Sequence, residues 1–357
     1  MAIANPTSPE LERSGQPVAA RAPTRAEYAA DGAFRGLSYG FAIFVVALLG
    51  YIVVEIFRLG WPAMSERGLS FLTGTVWDPN RNEYGILPEI WGTIYSSAFG
   101  LLIGTVLGVA VAIFLAEGFV GNVVFSLLSL FGLQYKRGWG SLPEKTEAFL
   151  KALIQLLAAI PSVVYGLWGI FVVIPAVRPI AHWLHEGLGW FPLFSTELSG
   201  PGVFPAGLVL GIMVLPIITS ISYEALVAVP HKLREAAYGL GATRWETILG
   251  VLLPTAAPGI FGGVILAFGR ALGETMALAM LVGGASTISW SLFAPANTLA
   301  ALIANRFGDA SGPADIALLL YAALVLMVIT LIVNVLGSLI LQRVSLKAPA
   351  AAKGGTR

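Results

Sequence analysis

Two ionisable residues, Arg270 and Glu274, stand four apart inside an apolar stretch that runs over roughly 257–283. At about 100° per residue, Gly259, Gly263, Leu266, Arg270, Glu274 and Ala277 would share one narrow helical stripe. Phe261, Val264, Ile265, Phe268 and Leu272 would take the opposite face. An arginine at mid-depth in a lipid-spanning helix costs about 3 kcal/mol on insertion scales and above about 10 kcal/mol in simulations. Such a group persists only if it is paired, hydrated or turned to a cavity. The pair either holds helices together or lines a hydrophilic path, where the arginine would favour an anion. Arg-before-Glu is the weaker i,i+4 orientation, so local stabilisation is a thin explanation. The expectation is that Arg270→Ala or Glu274→Ala stops transport and leaves assembly intact. A third candidate is Ser162, which follows Pro161 in the apolar stretch 150–174. Pro161 should kink or unwind that helix. Backbone groups freed at depth are tolerated only inside protein or at a wet cavity. Ser162 could satisfy a carbonyl there or touch an anion.

The elements that must position these groups follow from composition. Of 357 residues, 57 % are hydrophobic and 11 % charged. Soluble domains are nearer a quarter charged, so most of this apolar side chain must face lipid or other spans. Stretches long enough to cross a bilayer fall at about 37–57, 93–116, 150–174, 203–223, 257–283 and 314–341. With both termini inside, the inner segments carry fifteen of the 21 basic residues and the outer ones five, with Arg270 left in a span. That bias predicts an N-in, C-in, all-α membrane protein of about six helices. Residues 1–36 are polar and read as a disordered cytoplasmic arm. The apolar run after them is too long for a signal-peptide core, so it should remain as the first span. The membrane-spanning body is expected over 37–345, with a cytoplasmic tail at 346–357.

Several features carry no chemistry in this reading. Residues 119–133 are apolar but too short to cross, and read as an interfacial or partner-covered helix. Gly100, Gly104 and Gly108 recur every fourth residue, which predicts close helix packing. His182 and His185 are expected in an outer loop beside Glu186, without an evident third metal ligand. There is no cysteine, which excludes thiolate and disulfide chemistry. No phosphate-cradling G-x-x-x-x-G-K-[ST] occurs; Lys145-Thr146 follows Glu144 instead of glycine. The chain should therefore not hydrolyse ATP itself. No nucleic-acid partner is implied.

Residues 225–254 predict a compact knob between the fourth and fifth spans. Pro230 suits a first helical turn, and Gly239 and Gly241 stop that helix. Thr243 and Glu246 form a capping-box pattern that opens another helix, which Pro254 should end. Within this knob, Glu235-Ala236-Ala237, Gly241, Val251 and Leu253-Pro254 resemble the EAA loop of inner-membrane permeases of binding-protein-dependent ABC importers. That motif normally has isoleucine in place of Val251. The resemblance implies a type I, MetI-like permease fold, in which the short helix at 231–241 is a coupling helix seated on a separate ATPase. Glu235, Ala236, Ala237, Gly241 and Pro254 would be its contact and turn positions.

Further segments are similar to the phosphate-importing branch of this family: 71–93, 156–175, 268–284 and 298–310. The resemblance implies inorganic phosphate import by alternating access, with Arg270, Glu274 and Ser162 on the path. It implies a sister permease, a pair of ATPase subunits that bind ATP and Mg, an external phosphate-binding protein and a bacterial inner membrane. Nothing is carried over to about 119–146, where the family has a shorter connection. Two rivals stand beside this. One keeps the architecture and carries phosphonate, sulfate or molybdate. The other is an ion-coupled secondary transporter, which would need intramembrane acids. Glu274 is the one mid-span carboxylate, and inverted repeats are not evident.

Overall fold

The structure, a computed structural model, describes residues 24–119 and 142–347. The segment 120–133 and the tail beyond 347 therefore lie outside the described residues. Two units are distinguished, Met1–Glu55 and Ile56–Arg357.

The described part of the first unit is helical. Helix α1 covers Arg25–Arg67 and so begins inside the arm expected to be disordered up to residue 36. Pro23 is the last proline before Pro62, and the intervening sequence opens with the helix formers Arg25, Ala26 and Glu27 and with Ala29 and Ala30. A helix nucleated in the apolar run extends back through them at little cost.

In the second unit, a short helix α2 (Ser70–Thr73) and a hairpin of β1 (Trp77–Asp78) and β2 (Glu83–Tyr84) precede α3 (Leu87–Ala116). Trp77 pairs with Tyr84 across the hairpin. Then come α4 (Leu142–Ala159), α5 (Ser162–Trp168), α6 (Ile174–Leu188), α7 (Val203–Val227), α8 (His231–Gly239) and α9 (Arg244–Thr247). Helices α10 (Leu253–Leu272), α11 (Met276–Leu281), α12 (Leu299–Phe307) and α13 (Pro313–Lys347) complete it. One π-turn, Gly169–Val173, joins α5 to α6, and another, Ile248–Leu252, joins α9 to α10.

Among the described residues, six helical segments are long and apolar enough to cross a membrane: Tyr28–Arg67, Leu87–Ala116, Ser162–Leu188, Val203–Val227, Arg244–Leu272 and Pro313–Arg343. The third and fifth depart from expectation. The third starts at Ser162 because Pro161, with ψ 139°, takes the extended backbone and ends α4. Arg178, His182 and His185 consequently sit in α6, not in a loop. The fifth starts at Arg244, because Pro254 does not stop it. The Leu253 N–H donates to Ile248 O across the π-turn, and Pro254 enters the first turn of α10, where no donor is needed.

Helix α7 is the centre of this unit. Its apolar window is 61 % buried, against 28 % or less in the unit's other long helices. The glycine stripe of α3 lies on it. A Cβ at Gly104 would stand 2.5 Å from Val214 Cγ2, and one at Gly100 2.9 Å from Leu210 Cβ. At Gly108 it would stand 2.9 Å from Ile218 Cγ2. The stripe is helix packing, as expected. The segment 282–298, unforeseen from sequence, is an irregular stretch whose second half, 291–298, is largely buried near the start of α7. The Phe204 N–H donates to Leu292 O (2.7 Å) and the Val203 N–H to Ala294 O (3.2 Å), which satisfies donors that a helix start leaves open.

Candidate functional site

The structure separates the charged pair. Helix α10 ends at Leu272 and Gly273 caps it, so Arg270 and Glu274 do not share a continuous helical face. The stripe is interrupted one residue before Glu274. The physical reason is Gly273 followed by Glu274 and Thr275: glycine ends one helix, and the carboxylate opens the next. Glu274 is 9 % exposed, and its Oε1 accepts the Ala277 N–H at 3.4 Å in the first turn of α11. A carboxylate suits that position, because helix starts favour negative charge. Arg270 is exposed, on the last turn of α10. Among the described residues it makes no ion pair or hydrogen bond. A local Arg270–Glu274 pair is thus absent from this conformation. Ser162 opens α5 directly after the break at Pro161 and is half-buried. None of the three residues bonds another.

Small residues set the surroundings of this segment. A Cβ at Gly263 would meet Ile221 at 3.0 Å, and one at Gly259 would meet Ala225 at 2.5 Å. These two glycines press α10 onto α7, while Leu266 and Arg270 stay open. Gly166 and Gly169 admit Met280 and Leu281 in the same way, which seats α11 against α5 and its π-turn. Glu274 is therefore held at the start of a packed helix, whereas Arg270 stays exposed at the end of α10.

The knob at 225–254 forms as a helix, a tight turn and a second helix. Helix α8 ends at Gly239, and Gly241 takes φ +85°, a conformation that glycine adopts without a Cβ penalty. The Ala242 N–H returns to Ala237 O at 3.0 Å. Thr243 opens α9 with the expected capping box: its Oγ1 accepts the Glu246 N–H, and Glu246 Oε2 accepts the Thr243 N–H at 2.7 Å. Pro230 stands at the N-cap of α8, one residue before the helix. Of the predicted contact positions, Ala237 is buried, whereas Glu235, Ala236 and Gly241 are exposed. Pro254 lies away from the turn, at the start of α10. Tyr238 and Leu240 add apolar surface at the tip, and Leu240 is 90 % exposed. The inner face of the knob, formed by Leu226, Val229, Leu233, Ile248 and Leu252, clusters with Ala112 of α3 and Ala256 of α10.

Two polar arrangements were not legible from spacing. Glu117, just past α3, pairs with Arg234 at 3.0 Å and with Arg244 at 3.5 Å. Glu89 is fully buried in the first turn of α3; its Oε1 accepts Ser286 Oγ (2.5 Å) and Asn297 Nδ2 (3.4 Å). In both cases the partners lie more than a hundred residues away, so no local pattern marks them. His182 lies between Glu186 (3.1 Å) and Glu197 (3.5 Å), one on each ring nitrogen. Among the described residues no cluster of three or more His, Cys, Asp or Glu could hold a metal ion.

Comparison with known proteins agrees with this architecture. The PstC phosphate transport system permease protein of Mesorhizobium japonicum is 38 % identical over 325 residues, 90 % of this chain and 92 % of that protein. Its counterpart in Xylella fastidiosa is also 38 % identical, over 89 % of this chain and 92 % of its own length. A crystal structure of a bacterial alginate ABC transporter with its alginate-bound periplasmic protein shares the fold, with a TM-score of 0.57 at 16 % identity over 89 % of this chain and 96 % of that one. Residues 139–346 match the model of the binding-protein-dependent transport system inner membrane component. With that match, the six long apolar helices and the knob between α7 and α10, the chain belongs to the family of binding-protein-dependent transport system inner membrane components.

Proposed function

We propose that this chain is the PstC-like permease subunit of an ATP-driven phosphate importer. The observation that carries this reading is the agreement along nearly the whole chain with proteins named as phosphate permeases. The exposed α8 tip supports it, because a permease without a nucleotide site needs a surface to receive work from an ATPase. In this reading the termini and the knob face the cytoplasm of a bacterial cell, and the bilayer is the inner membrane. A PstB-like ATPase pair, which binds ATP and Mg, seats α8 in a cleft. A PstA-like sister permease completes the pore, and a PstS-like protein delivers phosphate from outside.

The unpaired Arg270 fits this assembly. A guanidinium at membrane depth is tolerated when it faces a wet cavity or a partner. Its exposure on α10 would place it at the pore between the two permeases, where a phosphate dianion can pair with it bidentately. Glu274, two residues before α11, would hold the segment's geometry by accepting the Ala277 N–H. Closure of the ATPase pair would displace α8, and α9 and α10 would carry that displacement towards Arg270. The test is ATP hydrolysis by the reconstituted complex. Stimulation by phosphate-loaded binding protein supports the reading; stimulation by a sulfate- or molybdate-loaded protein alone would replace phosphate with that anion.

A further inference from the structure

Glu117 is the residue directly after α3, and its side chain is only 6 % exposed. Two guanidinium groups from distant parts of the chain converge on it. Arg234 of α8 brings Nη1 to 3.0 Å from Oε1, and Arg244, the first residue of α9, brings Nε to 3.5 Å from Oε2. Arg244 also donates to the Glu117 carbonyl oxygen and lies 3.9 Å from the ring centroid of Phe119, which stacks on Trp245. Arg234 also donates a hydrogen bond to Leu226 O at the end of α7, at 3.4 Å. One carboxylate thus joins the end of α3, the coupling helix candidate and the start of the fifth span, with α7 reached through Arg234.

The contacts beneath α8 are otherwise apolar, through Leu233 and the cluster around Leu226, Val229 and Ile248. Apolar contacts are non-directional and let a helix slide. An ion pair between the buried Glu117 carboxylate and Arg234, 16 % exposed, resists sliding, and removing one partner leaves the other charge uncompensated. We propose that Glu117 is a positioning residue for energy coupling: it locks α8 to α3 and α9, so that displacement of α8 moves those helices together. This rests on α8 being the ATPase-facing helix.

The test uses the complete transporter with its binding protein in proteoliposomes and reads phosphate imported per ATP hydrolysed. In Glu117→Gln, hydrolysis is expected to persist while this ratio falls about fivefold or more, the lower range of ordinary site-to-site coupling. Glu117→Asp, which keeps the charge, should retain more of the ratio than Gln. A purely structural role would lower import and hydrolysis together and leave the ratio unchanged, and that result overturns the proposal. If Glu117→Gln does not assemble, Arg234→Lys gives the same reading, because it keeps the charge and loses the planar fork; an unchanged ratio there overturns the proposal equally. Leu240→Asp, at the exposed tip of α8, tests the underlying reading separately. Loss of the ATPase from the purified complex is expected. Normal retention would mean that α8 is not the docking helix, whatever the outcome at Glu117.

Discussion

Gly239 and Gly241 stand two residues apart in the knob, and replacing each by alanine should act in opposite directions. Neither site has any atom within 4 Å of an added Cβ, so sterics contribute nothing at either. What differs is the backbone. Gly239 is the last residue of α8, and Gly241 has φ +85°. A left-handed backbone costs an L-residue about 1–2 kcal/mol, whereas alanine in a helix gains up to about 1 kcal/mol over glycine. Gly241→Ala should therefore lower the population of the formed turn by a factor of about 5–30, and Gly239→Ala should leave it unchanged or raise it. The turn sets the direction in which α8 leaves the membrane domain, so the assay is retention of the ATPase subunit during purification, with phosphate-stimulated hydrolysis alongside. Gly241→Asn should recover part of the loss, because asparagine enters the left-handed region more readily than alanine. Equal retention in Gly239→Ala and Gly241→Ala would refute the argument that backbone conformation at Gly241 shapes the docking surface.

Further outcomes are expected at the other sites. Arg270→Ala should abolish phosphate uptake while the complex purifies intact, since its side chain is exposed and makes no hydrogen bond or ion pair with a described residue; normal uptake would remove it from the path. Gly104→Val should cost about 1–3 kcal/mol by overpacking, because Val214 Cγ2 and Gly211 O leave no room; a lower thermal midpoint in detergent reads it, and Gly262→Ala, with only Leu341 at 4.0 Å, should show no loss. Thr243→Ala should cost about 1 kcal/mol through loss of the capping box, seen as weaker ATPase retention than wild type but stronger than in Gly241→Ala.

The sequence made legible those parts of the fold that local chemistry decides. Long apolar runs became helices, the glycines of α3 became a packing face, and Thr243, Glu246 and Gly241 built the knob as their types require. Two boundaries were misread because a proline was weighed by its position alone. Pro161 does end a helix, but the crossing segment then lies after it, and Pro254 is absorbed by a π-turn whose hydrogen bond begins six residues earlier, at Ile248. The charged pair was misread because a helical wheel presumes an unbroken helix, and Gly273 breaks this one. The Glu117 fork and the burial of 291–298 near the start of α7 were hidden because they depend on tertiary approach between distant segments, which periodicity does not encode.

The most direct test of the central claim is uptake of labelled phosphate into proteoliposomes that contain this chain with its sister permease, its ATPase and an external phosphate-binding protein. The account predicts uptake that requires enclosed ATP and Mg, requires the binding protein outside, and disappears when the ATPase is omitted. Uptake by this chain that continues without the ATPase, driven by an ion gradient, would contradict it.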